Sequence, residues 1–214
     1  SISIDLLGRI IEIVSGKSLD QFLKEEIFDP LDMQNTGFRI APKSLNRFSS
    51  LYSPKEGNSL SLIDAPNTSP YQNPVLFSGG GGLIGTIDDY MKFGEMIRVG
   101  GFYKRNRIIS KKTLEFMRLN HLRGDISSLG PKSFAEQPMD GMGFGIGGAV
   151  VMNPGLTRIP GSVGDFGWGG MASTFFWTDP IHNMSVVFFT QLSPSNSYSN
   201  RAELKSLVHG AIID

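Results

Sequence analysis

Gly164-Asp165-Phe166-Gly167-Trp168-Gly169-Gly170-Met171 runs directly into Ala172-Ser173-Thr174-Phe175-Phe176-Trp177. Glycines flank one large indole, and an apolar β-pattern follows. Glycine at a strand start lets backbone come close to a ligand or to another backbone. The bland alternative is a bulge or tight bend that no ligand uses. Phe175, Phe176 and Trp177 read as core rather than as a stacking platform.

Downstream, residues 184–191 read as a second strand, with Asp179-Pro180-Ile181-His182-Asn183 as the turn between the two. A closing helix is expected over 200–213, with Leu204, Leu207, Val208 and Ile212 on one face. Upstream, residues 143–153 read as one glycine-rich strand carrying Val150 and Val151. Ser110 caps a helix to Asn120, and Thr86 caps another that ends near Gly100-Gly101. The run Ser78-Gly79-Gly80-Gly81-Gly82 precedes the Thr86 helix. Residues 32–76 have weak periodicity and many Ser, Asn and Pro residues. They read as long irregular surface with room for short strands, and such loops often carry function. At the front, Ile4, Leu7, Ile10, Ile11 and Val14 have helical spacing, with Gly16 as the stop. Ser18 caps a second helix to Phe28, closed by Asp29-Pro30. Ser1 enters a helical pattern almost at once, as if the chain began in mid-fold.

Helices, then an antiparallel meander, then a closing helix give an α+β fold class. No repeat or linker divides residues 1–214, so they read as one domain. Lys plus Arg is 20 and Asp plus Glu is 20, which gives no support for a nucleic-acid partner. With no Cys, a disulfide framework and a thiolate metal site are excluded. No apolar run has the length of a membrane span. The composition fits either cytoplasm or periplasm and settles no compartment.

Three His residues occur, at 121, 182 and 209. None has a metal-type ligand at useful spacing, so they read as surface residues, with no metal and no cofactor expected. There is no Gly-x-Ser-x-Gly elbow, and the run 79–82 lacks the Gly-Lys-Ser/Thr of a phosphate loop. That run can hold an anion through backbone N–H groups or simply pack tightly, and both readings stay open. Glu25/Glu26 and Asp88/Asp89 point about 100° apart on a helix, so they read as helix charges and not as a glycosidase pair.

Four segments together resemble the class C β-lactamase-like serine hydrolases. Ser1-Ile2-Ser3-Ile4-Asp5-Leu6-Leu7-Gly8 through Val14-Ser15-Gly16 is similar to the segment just after that family's catalytic Tyr. Ile27-Phe28-Asp29-Pro30-Leu31-Asp32-Met33-Gln34-Asn35-Thr36-Gly37-Phe38 resembles its Ile-Phe-x-Pro-Leu-Gly-Met-x-x-Thr-x-Phe signature, with Asp32 in place of Gly. Ser78 to Tyr90 resembles its Gly-Gly-x-Gly-Leu-x-x-Thr-x-x-Asp-Tyr segment, and Trp168-Gly169-Gly170 the third motif of its esterase branch. The likeness runs nearly end to end.

The resemblance implies acyl transfer. In that family a Ser in Ser-x-x-Lys attacks an ester or amide carbonyl, while the Lys and the Tyr move protons. The N–H after the third motif's last Gly helps form the oxyanion hole, which here makes Gly170 and Met171 the catalytic strand. Trp168, Gly169, Ser78, Gly79 and Gly80 are then substrate-side residues. Ser-x-x-Lys is absent, and the Tyr belongs immediately before Ser1. Ile2 stands where penicillin-recognising relatives carry Asn, which with Trp168 favours the esterase branch. The expectation is the C-terminal portion of a longer hydrolase: an antiparallel sheet with helices on both sides, incomplete in this chain and inactive alone. It should pair with its missing N-terminal part or a second copy. A β-lactamase or D,D-peptidase is the alternative enzyme, and a binding module that kept the fold is the alternative of another class.

Overall fold

The computed structural model describes residues 2–134 and 136–213, so Ser1, with which the first resembling segment begins, lies outside the described residues. In chain order the elements are α1 (Ile2–Ser15), α2 (Leu19–Leu23), β1 (Leu51–Lys55), β2 (Ser59–Asp64), α3 (Ile87–Arg98), β3 (Phe102–Tyr103), β4 (Asn106–Arg107), α4 (Lys111–Met117) and α5 (Ile126–Leu129). There follow β5 (Ser133–Phe134), β6 (Gln137–Pro138), β7 (Met142–Phe144), β8 (Ala149–Val151), α6 (Pro154–Thr157), β9 (Phe166–Gly169), β10 (Phe175–Asp179), β11 (Met184–Phe188) and α7 (Asn200–Gly210). Five strands form one sheet in the order β11-β10-β9-β8-β7, with every neighbouring pair antiparallel. Helix α3 packs on one face and α7 on the other, as the α+β reading requires.

Local signals placed several helix ends. Thr86 Oγ1 accepts from Asp89 N at 3.3 Å, and Ser110 Oγ accepts from Thr113 N at 3.0 Å. Gly16 follows α1 with φ +70°, a left-handed turn that glycine adopts without strain. Asp32, where the resembling signature has Gly, also has a left-handed φ of +59°. Short polar residues tolerate that region better than others do.

Other expectations need correction. The stretch 143–153 is two strands, because Gly145–Gly148 fold the chain back on itself: Gly145 N donates to Gly148 O at 2.8 Å, and Gly147 has φ +94°. Trp168 and Gly169 do not begin the Phe175 strand. They end a strand of their own, β9, and a tight loop intervenes. Ser18 precedes α2 but makes no side-chain cap bond, and that helix widens into a π-type turn over Lys24–Phe28. The helix after Ser110 stops at Met117. The irregular region 32–76 does hold short strands, the β1–β2 hairpin, as its reading allowed.

The core lies between α3 and the sheet, where Phe28, Leu31, Met96 and Ile97 meet Val150, Phe166 and Phe176. Tyr90 stands in an aromatic group with Phe93, Phe176 and Phe189, and burial pushes its phenol up to about 12. Asp89 stands in the first turn of α3, as read from the sequence, and is in addition a buried hub. Its carboxylate accepts from Asn35 N (2.7 Å), Thr36 Oγ1 (3.1 Å) and Lys92 Nζ (3.0 Å), tying the Ile27–Phe38 segment to α3. Asp89→Ala leaves all three donors short of a partner and should cost about 3 kcal/mol in denaturant titration of the whole protein. The exposed neighbour Asp88→Ala should cost under about 1 kcal/mol. Equal losses would contradict the hub.

The other face departs from the apolar stripe expected of the last helix. Leu207 is 73% exposed, whereas Arg201 and Lys205 are 2% and 7% exposed. The reason is a match of repeats. Residues four apart on a helix rise about 6 Å, and residues two apart on a strand rise about 6.7 Å. So Arg201, Lys205 and His209 lie over Phe175, Trp177 and Asp179. The Arg201 guanidinium is 5.7 Å from the Phe175 ring, and Lys205 Nζ is 5.7 Å from the Trp177 ring. His209 Nε2 is 3.9 Å from Asp179 Oδ2. Lys205 also pairs with buried Asp165 at 2.6 Å. Burial pushes Asp179 up, but bonds from His182, Ser162 and Ile181 outweigh it and hold the carboxyl at about 2.

Helix α1 is the reverse case. Leu7 is 51% and Val14 82% exposed, so the apolar positions read from its spacing are largely uncovered within the described residues.

Candidate active site

Strand β8 pairs with β9 only at Phe166 and Gly167. Among the described residues, the edge at Trp168–Gly169 has no further strand beside it. The chain then turns through Gly170–Thr174. Gly170 N donates to Thr174 O at 2.9 Å, and Ser173 N to Gly170 O at 3.2 Å. Ser173 Oγ donates to Leu192 O at 2.8 Å, and Leu192 N to Ala172 O at 3.2 Å. Arg201 closes the support from below: Nη2 donates to Gly170 O (2.8 Å) and Thr174 O (3.2 Å). Its Nη1 reaches Glu136 Oε2 at 3.4 Å. Burial pushes Glu136 up and Arg201 down, each opposed by the other's charge.

Met171 sits at the tip of this loop, 71% exposed. Its N–H has no hydrogen-bond partner among the described residues, while the loop around it is pinned. A fixed loop presenting an open N–H is the arrangement that stabilises charge developing on a carbonyl oxygen.

The two glycines have reasons inside the protein. A Cβ at Gly169 would lie 2.7 Å from the Arg201 guanidinium carbon, and one at Gly170 would strike the Thr174 hydroxyl. Trp168 is half-buried, stacked on Phe134 at 5.4 Å with Phe144 edge-on at 5.2 Å. A cavity of about 50 Å³ lies between β9, Phe175, Trp177 and Arg201. It is far below the roughly 300 Å³ that a small-molecule site needs.

Ser78, Gly79 and Gly80 belong to a different contact. Ser78 Oγ and Gly80 N donate to Asp5 Oδ1 at 2.6 and 3.0 Å. Those bonds, Ser78's first, hold the Asp5 carboxyl below its usual range. A Cβ at Gly79 would lie 2.6 Å from Ile4 O. The glycine run therefore holds an anion and packs tightly at once, and the anion is the chain's own Asp5. Among the described residues no hydrogen bond joins Ser78–Gly80 to Trp168–Met171. Arg201 and Asp5 were not singled out from the sequence as functional. A buried Arg on a helix gives no periodic apolar signal, and Asp5 showed only as one letter of a motif.

The histidines also differ from the expectation. His209 is 9% exposed in its side chain, and the fold gathers it with His182 and Asp179. Asp179 and His182 are three residues apart across the β10–β11 turn, and α7 delivers His209 from a distance in sequence that spacing rules do not cover.

The beta-lactamase family profile matches residues 1–210. Protein Rv1367c of Mycobacterium tuberculosis is 30% identical over 201 residues, covering 91% of this chain and 49% of that protein. Esterase EstB of Burkholderia gladioli is 26% identical over 205 residues, covering 89% of this chain and 48% of that protein. Among solved structures, EstCE1, a hydrolase with promiscuous acyltransferase activity, superposes with a TM-score of 0.81 at 25% identity, covering 98% of this chain and 55% of that one. The chain thus spans about half the length of the curated relatives it matches. No helix among the described residues is long and apolar enough to cross a membrane. With motif order, sheet topology and these matches in agreement along nearly its whole length, the chain belongs to the beta-lactamase family of hydrolases.

Proposed function

We propose that in the whole protein this chain supplies the oxyanion side of a serine hydrolase that cleaves small-molecule esters through an acyl-enzyme. The observation that carries the reading is the open Met171 N–H on a loop pinned by Thr174, Leu192 and Arg201. In this reading a Ser outside the chain adds to the ester carbonyl carbon, and its proton passes to the Lys–Tyr pair. The carbonyl oxygen takes the negative charge and accepts from Met171 N–H. Collapse expels the alkoxide, which is protonated by the same pair, and water then releases the acyl group by the reverse exchange. Gly79 lies against the first turn of α1, next to where the family's Tyr would stand, which supports the substrate-side role given to Ser78–Gly80.

Trp168, Phe134 and Phe144 favour the esterase branch. An uncharged aromatic wall offers nothing to pair with a substrate carboxylate, so neutral esters fit better than carboxylate-bearing lactams. The whole protein should turn over p-nitrophenyl acetate and butyrate in preference to a chromogenic cephalosporin. Preference for the cephalosporin would overturn the esterase assignment.

The 214-residue chain by itself should show no turnover of either class and no stoichiometric labelling by an active-site phosphonate, since it carries no Ser-x-x-Lys. Its uncovered α1 and the β11 edge should make it bind an apolar dye and self-associate, or hold the remainder of the protein. A monodisperse, dye-silent monomer by light scattering would contradict this.

A further inference from the structure

We infer that Asp179, His182 and His209 form a binding site for one zinc-class divalent ion that ties the end of α7 to the β10–β11 turn. The site lies at the end of β10 away from the Gly170–Thr174 loop, about 13 Å along the strand.

The donor set is two imidazoles and one carboxylate, which suits zinc; calcium and magnesium want oxygen ligands throughout. One ligand atom from each residue lies within 4.8 Å of the others. His182 Nδ1 is 2.8 Å and His209 Nε2 3.9 Å from Asp179 Oδ2. A tetrahedral ion about 2.0–2.1 Å from its ligands sets them roughly 3.4 Å apart, so side-chain shifts under about 1 Å complete the site.

A second observation points to a ligand. His209 Nε2 is buried and has no hydrogen-bond partner among the described residues, in a side chain only 9% exposed. A buried imidazole nitrogen left in that state is a cost that a bound ion removes. The carboxylate is already oriented from behind. Ser162 Oγ donates to Asp179 Oδ2 at 2.7 Å, and the N–H groups of Ile181 and His182 donate to Oδ1 at 2.8 and 3.0 Å. Such outer contacts fix a metal ligand's direction.

Access and charge also agree. The His182 side chain is 34% exposed, and with His209 it lines an open cavity beside Pro154, Arg158 and Gly161. That leaves room for water as a fourth ligand. Lys205, one helical turn before His209, is neutralised by Asp165. Arg158 at the rim disfavours an ion held by charge alone, so the binding must come from the imidazole nitrogens. The entering ion takes the place of the proton between His182 Nδ1 and Asp179 Oδ2: a neutral imidazole keeps its one proton on Nε2, and a protonated one releases its second proton to solvent.

The test uses the whole protein, stripped with a chelator and titrated with zinc sulfate, with cobalt(II) as the spectroscopic probe. Expected are one zinc per chain by calorimetry, a rise in Tm with zinc, and the visible bands of tetrahedral cobalt. His182→Ala, at the surface, and His209→Gln should each weaken zinc binding at least ~10-fold and remove the Tm rise. His121→Ala, on another surface, should change neither. If His209→Gln fails to fold, His182→Ala decides. No zinc-dependent Tm shift and no cobalt bands in the parent protein would overturn the site, as would full zinc affinity in His182→Ala.

Discussion

Gly170→Val in the whole protein is expected to lower kcat by roughly 10²–10³-fold with little change in KM, the usual loss for one oxyanion donor. The added Cβ strikes the Thr174 hydroxyl inside the loop, not the substrate. Valine's branch then forces Thr174 and Gly170 apart and stretches the Gly170 N to Thr174 O bond of 2.9 Å. Met171 N–H moves with them. Trp168→Ala should act on KM and substrate choice instead, because the indole stacked on Phe134 is wall rather than donor. Measuring kcat, KM and Tm for both variants separates these roles. If both variants only melt earlier, with activity per folded molecule unchanged, the segment is packing and nothing more.

Arg201→Met should cost about 3–5 kcal/mol in stability, since one partner of a buried ion pair is removed and the other stays. Glu136 is left with its charge beneath β9, and the carbonyls of Gly170 and Thr174 lose their donor. Arg201→Lys keeps a charge but not the fork that reaches Glu136 and both carbonyls, so it should recover only part of the loss. Glu136→Gln with Arg201→Met should be milder than the sum of the single changes. Urea titration of the four proteins gives the coupling. A loss under about 1 kcal/mol for Arg201→Met would show that the loop holds without its support from α7.

What the sequence disclosed was local. Thr86, Ser110 and Gly16 mark helix ends because capping depends on a few neighbouring residues. The apolar run Phe175–Trp177 announced a buried strand because both its faces are covered. Failures came where distant elements decide the outcome. A search for apolar spacing finds Leu204 and Leu207 on α7, yet the buried stripe is Arg201, Lys205 and His209, chosen by the repeat of β10. Asp89 showed only as a helix-start charge, and its burial stayed hidden, because its partners Asn35 and Thr36 lie more than fifty residues away. The glycines of 143–153 masked a hairpin, since glycine carries no side-chain alternation to reveal register. For the candidate site, motif order pointed to Gly170 and Met171 as a strand, whereas the fold makes them a loop between β9 and β10 and supplies its pins at Leu192 and Arg201.

The most direct measurement is a crystal structure of the whole protein with the proposed nucleophilic Ser trapped by an alkyl phosphonate. The phosphonyl oxygen stands where the carbonyl oxygen becomes charged. The prediction is that Met171 N lies about 2.7–3.1 Å from that oxygen, with the Gly170–Thr174 loop unmoved on Arg201. A phosphonyl oxygen held by other donors, with Met171 N beyond hydrogen-bond reach, would contradict the oxyanion role of this loop.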